Sequence, residues 1–331
     1  MLPCCRRIAT TLLAASVAAG AYAAPLPRLA IENGSLTVSG VSSGGYMATQ
    51  FQLGYSRIVA GAGVIAAGPW GCSRGSLLRA LGDCLDKMTS APDVPGLIAL
   101  ARTTAATGAI DPLDGLKPAR VWLFHGTHDE TVAASVAAAL VEFYRPFVAA
   151  SNLHVVDTVA APHGVPTEAA GASCDRTAAP YLYACHYDAV GEMLTFLYRG
   201  AATGAHAAAG ELRRFDQAPY DPTGTLAPQG YLYVPRACSA HAPCRLHVAF
   251  HGCRQGSDFV GERYVNEAGY NRWADDNRLV VLYPQTQKSM MLPLNPQGCW
   301  DWWGYAGVDY ATHDGKQMAA VRAMVHAVAG F

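Results

Sequence analysis

Apolar residues along this chain come in short alternating runs, each followed by a stretch with apolar residues at helical spacing. Leu36 and Val38 alternate as strand residues do and run into Gly40-Val41-Ser42-Ser43-Gly44, after which Tyr46, Met47, Phe51 and Leu53 suit a helix packed on a sheet. Ile58 to Ala67 reads as a buried strand, and Cys72 to Ala109 as an irregular excursion with a short helix around Leu97 to Arg102. Arg120 to Phe124 predicts the next strand, then an Ala-rich helix from about Ala133 that Pro146 should bend or end, then a strand over Leu153 to Val159. Ala201 to Gly210 reads as a surface connection. Further on, Gly230 to Pro235, Leu246 to Phe250 and Leu279 to Tyr283 predict strands, Tyr264 to Asn277 a helix, and Gly315 to Ala329 a closing helix. Strands alternating with helices imply an α/β chain with a largely parallel sheet. No linker or internal repeat divides it, so a single domain is expected.

The first residues stand apart from this pattern. Arg6 and Arg7 precede an apolar run, Thr10 to Ala19, and small residues ending Ala21-Tyr22-Ala23, which is the layout of a secretory signal peptide over residues 1–23. The run is too short and too Ala-rich for a good membrane span, so residues 24–331 are expected to be exported as one catalytic domain without a membrane anchor. Without the two leader arginines the chain carries 22 basic and 25 acidic residues and no basic block, which gives no footing for nucleic acid.

Cys4 and Cys5 leave with the leader, and an even set of eight remains, as expected for disulfides in an exported protein. None forms a C-x-x-C, and no paired histidine spacing accompanies them, so no metal is expected. Sequence alone allows many connectivities. The spacing suggests three close pairs, Cys72 with Cys84, Cys174 with Cys185 and Cys238 with Cys244, and leaves Cys253 and Cys299 for each other.

Candidate chemistry starts at the first strand. Gly40-Val41-Ser42-Ser43-Gly44 fits the G-x-S-x-G nucleophile elbow, in which a serine on a strained turn between strand and helix needs tiny neighbours on both flanks. Ser42 is the candidate nucleophile; Ser43 competes, but Val41 would then stand where the motif wants glycine. The strand over 120–124 leads into Asp129, one crossover helix follows, and the next strand leads into His163, which puts both residues at the sheet edge that carries the elbow. The chain order Ser42, Asp129, His163 is the α/β-hydrolase order, with His163 as general base and then acid and Asp129 orienting it. His313 is the rival base, placed where an unpermuted hydrolase would carry its histidine, although it could equally be a surface residue at a helix entry. His125, His128 and His251 flank the site but lack a zinc spacing, so they read as loop histidines.

The strand 246–250 ends in His251-Gly252-Cys253, the kind of turn that lends an oxyanion-hole amide, so the backbone amides of Ser43 and Cys253 are the candidate donors. That element normally precedes the serine; here it follows by about two hundred positions. A circularly permuted α/β-hydrolase fold, its first strands moved to the C-terminal half, accounts for this. Trp300, Trp302 and Trp303 form the densest aromatic cluster, and their alternation predicts a core strand with one exposed flank, drawn beside the site by the Cys253–Cys299 link.

GVSSGGYMA, HGTHDETV, APHGVPT, GYLYVP, HVAFHGC, GYNRWADDN and NPQGCWDWWGY with its trailing KQMAAV resemble the extracellular poly(3-hydroxybutyrate) depolymerases, particularly the single-domain kind with a permuted hydrolase fold. The likeness spans nearly the whole chain after the leader. It implies Ser42, Asp129 and His163 as a triad, Ser43 and Cys253 as oxyanion donors, and Trp302 as a wall of the crevice that takes a polyester chain. It also implies a secreted serine esterase, extracellular or periplasmic, acting without cofactor and as a monomer. A feruloyl or acetyl esterase acting on plant polysaccharides is the alternative enzyme, and a catalytically silent polymer-binding protein the alternative outside enzymology.

Overall fold

The computed structural model describes residues 25–85, 91–202, 204, 206–239 and 242–331; the expected leader lies outside the described residues. The strands are β1 (Thr37–Val41), β2 (Gly61–Ile65), β3 (Arg120–Phe124), β4 (Leu153–Val156), β5 (Val165–Thr167), β6 (Ala172–Ser173), β7 (Leu182–Ala184), β8 (Glu211–Asp216), β9 (Gln229–Val234), β10 (Arg245–Phe250) and β11 (Leu279–Tyr283). The helices are α1 (Ser43–Gly54), α2 (Leu77–Leu81), α3 (Val94–Ala106), α4 (Ala134–Tyr144), α5 (Ala189–Leu197), α6 (Arg236–Ser239), α7 (Ser257–Val260), α8 (Arg263–Glu267), α9 (Tyr270–Asn277) and α10 (Lys316–Ala329).

Eight strands form one sheet in the order β4-β3-β2-β1-β10-β11-β9-β8, with β9 antiparallel to both of its neighbours and the other pairs parallel. A parallel sheet needs both faces covered, because its crossover helices lie on them. Along β1 the faces alternate: Val38 packs with Met47, Phe51 and the α10 residues Met318, Val321 and Val325, whereas Val41 packs with Met193 and Tyr270 on the other side. The last third of the chain supplies β10 and β11 to the middle of this sheet, directly beside β1. The molecule is thus a circularly permuted α/β-hydrolase fold, as expected, in one domain.

Several elements differ from expectation. The helix expected over 264–277 is broken into α8 and α9 at Gly269, whose φ of 102° lies in the left-handed region that only glycine enters without strain. The tryptophan stretch is a turn rather than a strand. There the buried Asp301 carboxylate accepts the N–H groups of Gly304, Tyr305 and Ala306, and this local bonding replaces a ladder. The helix expected around 97–102 is longer, since the Asp93 side chain accepts from the Gly96 N–H and starts α3 early. Helix α5, the charged edge strand β8, and the small parallel sheet β5-β7-β6 were not anticipated.

The core face that carries Val41 also buries a polar chain. His247 on β10 bonds Thr37 through Nδ1 and Ser39 through Nε2, both at 2.7 Å, and Ser39 continues to the Tyr270 hydroxyl. Burial pushes the imidazoles of His247 and His251 down to about 3 and about 4. Both stay neutral in the folded protein while an unfolded chain would protonate them near pH 6.5, so unfolding takes up protons below that pH and stability falls as pH falls. Asp301, pushed up to about 6 by burial, works in the opposite direction between pH 6 and about 4, but it is one group against two. The midpoint of thermal unfolding should therefore be lower at pH 5 than at pH 7.5, and the difference should shrink in a His247→Gln variant. An unchanged or higher midpoint at pH 5 would contradict this account.

Candidate active site

The site grows from the crossing of β1 into α1. Ser42 sits at φ 56° and ψ −121°, a backbone conformation that costs a non-glycine residue about 1–3 kcal/mol. The flanking glycines make this turn possible. A Cβ on Gly40 would stand 2.1 Å from the Gly44 carbonyl oxygen, and one on Gly44 would stand 2.3 Å from that of Phe250, on the neighbouring strand. Ser42 is held by its own N–H, which donates to Ile65 at 2.9 Å, and by its carbonyl, which accepts from Tyr46 at 3.0 Å.

Ser42 and Ser43 have different surroundings. Ser42 lines a cavity of about 720 Å³, whereas Ser43 is buried and its hydroxyl accepts the Trp300 N–H at 3.3 Å. The buried Ser43 side chain thereby anchors the tryptophan turn to the elbow.

Asp129 and His163 reach the same sheet edge on loops that continue the pairing of β3 with β4. Past the strands, the N–H groups of His125, Thr127 and His128 donate to Val156, Val159 and Ala161. The carboxylate and the ring consequently meet: His163 Nδ1 lies 2.8 Å from Asp129 Oδ2, with both side chains almost wholly buried. Asp129 Oδ1 accepts from the N–H groups of Thr131 and Val132. Burial alone would raise the Asp129 pKa, but the His163 hydrogen bond and charge and the two backbone donors together hold it below the usual range. A carboxylate that stays ionised fixes the proton on Nδ1 and leaves Nε2 free for chemistry. His163 lines the same cavity as Ser42.

The turn after β10 abuts the elbow, since Gly40 pairs with Phe250 in register and a Cβ on Gly252 would stand 3.5 Å from the Ser42 Cβ. Disulfides join Cys72 to Cys84, Cys174 to Cys185 and Cys238 to Cys244, the close pairs that spacing suggested, and Cys253 to Cys299, the pair left over. The last of these ties the β10 turn to the tryptophan turn. Trp302 is buried against Tyr46 in a stack of 4.3 Å between ring centres and reaches the cavity wall, whereas Trp300 is wholly internal. Leu77, Leu81, Leu85, Leu292 and Leu294 complete apolar walls that no periodicity argument had assigned to the site.

The other histidines lie elsewhere or are occupied. His313 bonds the Gly54 carbonyl and stacks on Tyr55, at the far end of α1, a helix of 12 residues that separates it from Ser42 by about 18 Å. His125 bonds the Val132 carbonyl, His251 is bonded at both ring nitrogens, and His128 is exposed. Among the described residues no group of three His, Cys, Asp or Glu side chains could hold a metal ion, and no helix is long and apolar enough to cross a membrane.

No protein-family model matches the chain. It is 41% identical over 308 residues to a poly(3-hydroxybutyrate) depolymerase of Delftia acidovorans, covering 92% of this chain and 61% of that relative, so it spans about three fifths of the relative's length. It is 34% identical over 334 residues to a polyhydroxybutyrate depolymerase of Talaromyces funiculosus, covering 96% of this chain and 97% of the relative. Among solved structures, a PHB depolymerase from Penicillium funiculosum superposes with a TM-score of 0.87 and 31% identity, over 92% of this chain and 99% of that one. A serine-to-alanine variant of a PHB depolymerase complexed with an R3HB trimer superposes with a TM-score of 0.86, at the same identity and coverage. With near-complete coverage of one relative and one fold throughout, the chain belongs to the poly(3-hydroxybutyrate) depolymerases, a family of serine carboxylic ester hydrolases.

Proposed function

We propose that this protein is a secreted esterase that hydrolyses poly(3-hydroxybutyrate) to short oligomers or monomer through an acyl-enzyme on Ser42. The observation that carries this reading is the cavity: Ser42 and His163 lie in it together, leucines, prolines and tryptophans supply most of its apolar wall beside Arg254 and a few amide and hydroxyl side chains, and among the described residues no acidic side chain lines it. Its rim continues onto exposed apolar residues, among them Leu77, Leu292 and Leu294. Such walls suit an aliphatic polyester better than the hydroxyl-rich polysaccharide that a feruloyl or acetyl esterase must accommodate. Export is supported by four disulfides and by the leader pattern of residues 1–23.

In the reaction Ser42 Oγ attacks the ester carbonyl carbon as its proton passes to His163 Nε2, and Asp129 stabilises the resulting imidazolium. The carbonyl oxygen, now anionic, accepts hydrogen bonds from the Ser43 and Cys253 amides. The tetrahedral adduct collapses, the C–O bond breaks, and His163 returns the proton to the departing hydroxyl end of the chain. Water then attacks the acyl carbon as His163 takes its proton, the bond to Ser42 Oγ breaks, and His163 returns the proton to Ser42 as the carboxylic acid leaves. The triad, the oxyanion donors and the role of Trp302 all belong to this proposal.

Trp302→Ala should weaken hydrolysis of poly(3-hydroxybutyrate) much more than that of a short p-nitrophenyl ester. One aromatic wall contributes a few kcal/mol by burial, at ~25 cal/mol per Å², to a chain lying along it, and a small ester does not need it. Equal losses on both substrates would make Trp302 a support of the fold. Product analysis of the purified protein on polyester film and on feruloylated arabinoxylan, side by side, tests the reading itself. Soluble hydroxyacid from the film supports it; ferulate from the polysaccharide with an inert film would replace it with the alternative.

A further inference from the structure

Gln255 is buried at 1% exposure, two residues after Cys253, and all of its side-chain bonds go to backbone groups. Its Oε1 accepts the Gly252 N–H at 2.8 Å, and its Nε2 donates to the carbonyls of Pro180 and Tyr181 at 3.0 and 3.2 Å. An N–H can only donate and a carbonyl can only accept, so the amide has a single allowed orientation.

The two ends of this amide hold different parts of the site. On one side is Gly252, whose carbonyl is fixed in turn by His251. There the Thr286 N–H donates to Nε2 at 3.2 Å, which leaves Nδ1 protonated and donating to the Gly252 oxygen at 2.7 Å. With its N–H and C=O both held, Gly252 sets the plane of the next peptide, and the Cys253 N–H must point opposite to the Gly252 carbonyl. On the other side, the Tyr181 carbonyl also accepts the Val165 N–H at 2.9 Å, two residues after His163. The Tyr183 hydroxyl donates to the His163 carbonyl at 3.0 Å from the same segment.

We propose that Gln255 is a positioning residue that sets the oxyanion donor on Cys253 and the histidine loop at a fixed separation, so that both meet one tetrahedral centre. This rests on the reading of Ser42, His163 and the Cys253 amide given above. Gln255 borders the Ser42 cavity, but its amide is committed to the backbone of Gly252, Pro180 and Tyr181 rather than to the substrate. Its action is on geometry that matters once the carbonyl oxygen has moved out of plane, so its loss falls on kcat rather than on KM.

The test uses Gln255→Met, Gln255→Glu and Ser42→Ala in the full protein, with a soluble p-nitrophenyl ester and with thermal unfolding as the control for folding. Gln255→Met keeps the volume and removes all three bonds; kcat should fall about 10- to 100-fold with KM within about twofold. Gln255→Glu presents a carboxylate to two carbonyls when ionised. When protonated it regains an O–H donor to one carbonyl while its other oxygen accepts from Gly252. The ratio of its kcat to that of the parent at the same pH should therefore rise about tenfold from pH 8 to pH 5.5. A merely structural glutamine would leave that ratio flat, and a flat ratio, or a Met variant with kcat within twofold of the parent, overturns the proposal. If the Met variant does not fold, the ratio for the Glu variant decides alone; if neither folds, Gln255 belongs to stability and the positioning role is refuted. Ser42→Ala separates the two readings: activity retained there removes the site itself, whereas an inert Ser42→Ala with Gln255→Met at kcat within twofold of the parent, or a flat ratio for Gln255→Glu, removes only the clamp.

Discussion

Replacing Ser42 with alanine is expected to lower kcat on any ester by roughly 10³- to 10⁶-fold, with unchanged folding. The strained backbone at φ 56° serves to project this one hydroxyl into the cavity, and among the described residues no other serine lines that cavity. Alanine occupies the same turn with the same Cβ, so the fold has no reason to change. Ser43→Ala should cost far less in kcat, because the Ser43 hydroxyl is turned inward to the Trp300 N–H and only its amide is assigned to the reaction. It should cost some stability instead, by leaving that buried N–H without its acceptor. Comparable kcat losses for the two alanines would mean that the elbow has been read in the wrong register.

His163→Ala should be about as damaging as loss of the serine, and Asp129→Asn should lower kcat by roughly 10⁴-fold. In the asparagine variant the two backbone donors, Thr131 and Val132, still demand an acceptor at Oδ1. The amide nitrogen is therefore driven to the side facing His163, where it donates to Nδ1 and forces the ring proton onto Nε2. A base protonated at Nε2 cannot take the serine proton. His313→Ala should leave activity within a few-fold, since its ring is committed to Gly54 and Tyr55 at the far end of α1. Steady-state kinetics on a soluble ester check all three, and the opposite ranking of the two histidines would remove the permuted site.

Those parts of the molecule that rest on local chemistry were legible in the sequence. Strands β3 and β11 run over the residues that their apolar runs predict, and α4 starts within one residue of the expected position and ends before Pro146. The elbow could be seen because its glycines answer to a steric need within five residues. The meeting of Asp129 and His163 followed from a single crossover between neighbouring strands, and the cysteine pairs from their spacing. What the sequence concealed depends on contacts made across long separations. Gln255 carries no motif in a polar loop, and its bonds exist only because residues 180 and 181 are folded back against it. Nothing in the sequence marks Asp301, which stands between two tryptophans, yet it binds three amides and turns an alternating pattern into a compact loop. Leu77, Leu81 and Leu292 would ordinarily be read as core or chance surface residues; only the tertiary fold brings them to one rim.

The measurement that bears most directly on the account is covalent capture of the nucleophile. The purified protein is treated with an alkyl p-nitrophenyl phosphonate until esterase activity is lost, and the adduct is mapped by peptide mass spectrometry. The account predicts one phosphonyl group per molecule, on Ser42, with inactivation stoichiometric with labelling. An adduct on Ser43, or complete inactivation with Ser42 unmodified, would contradict it.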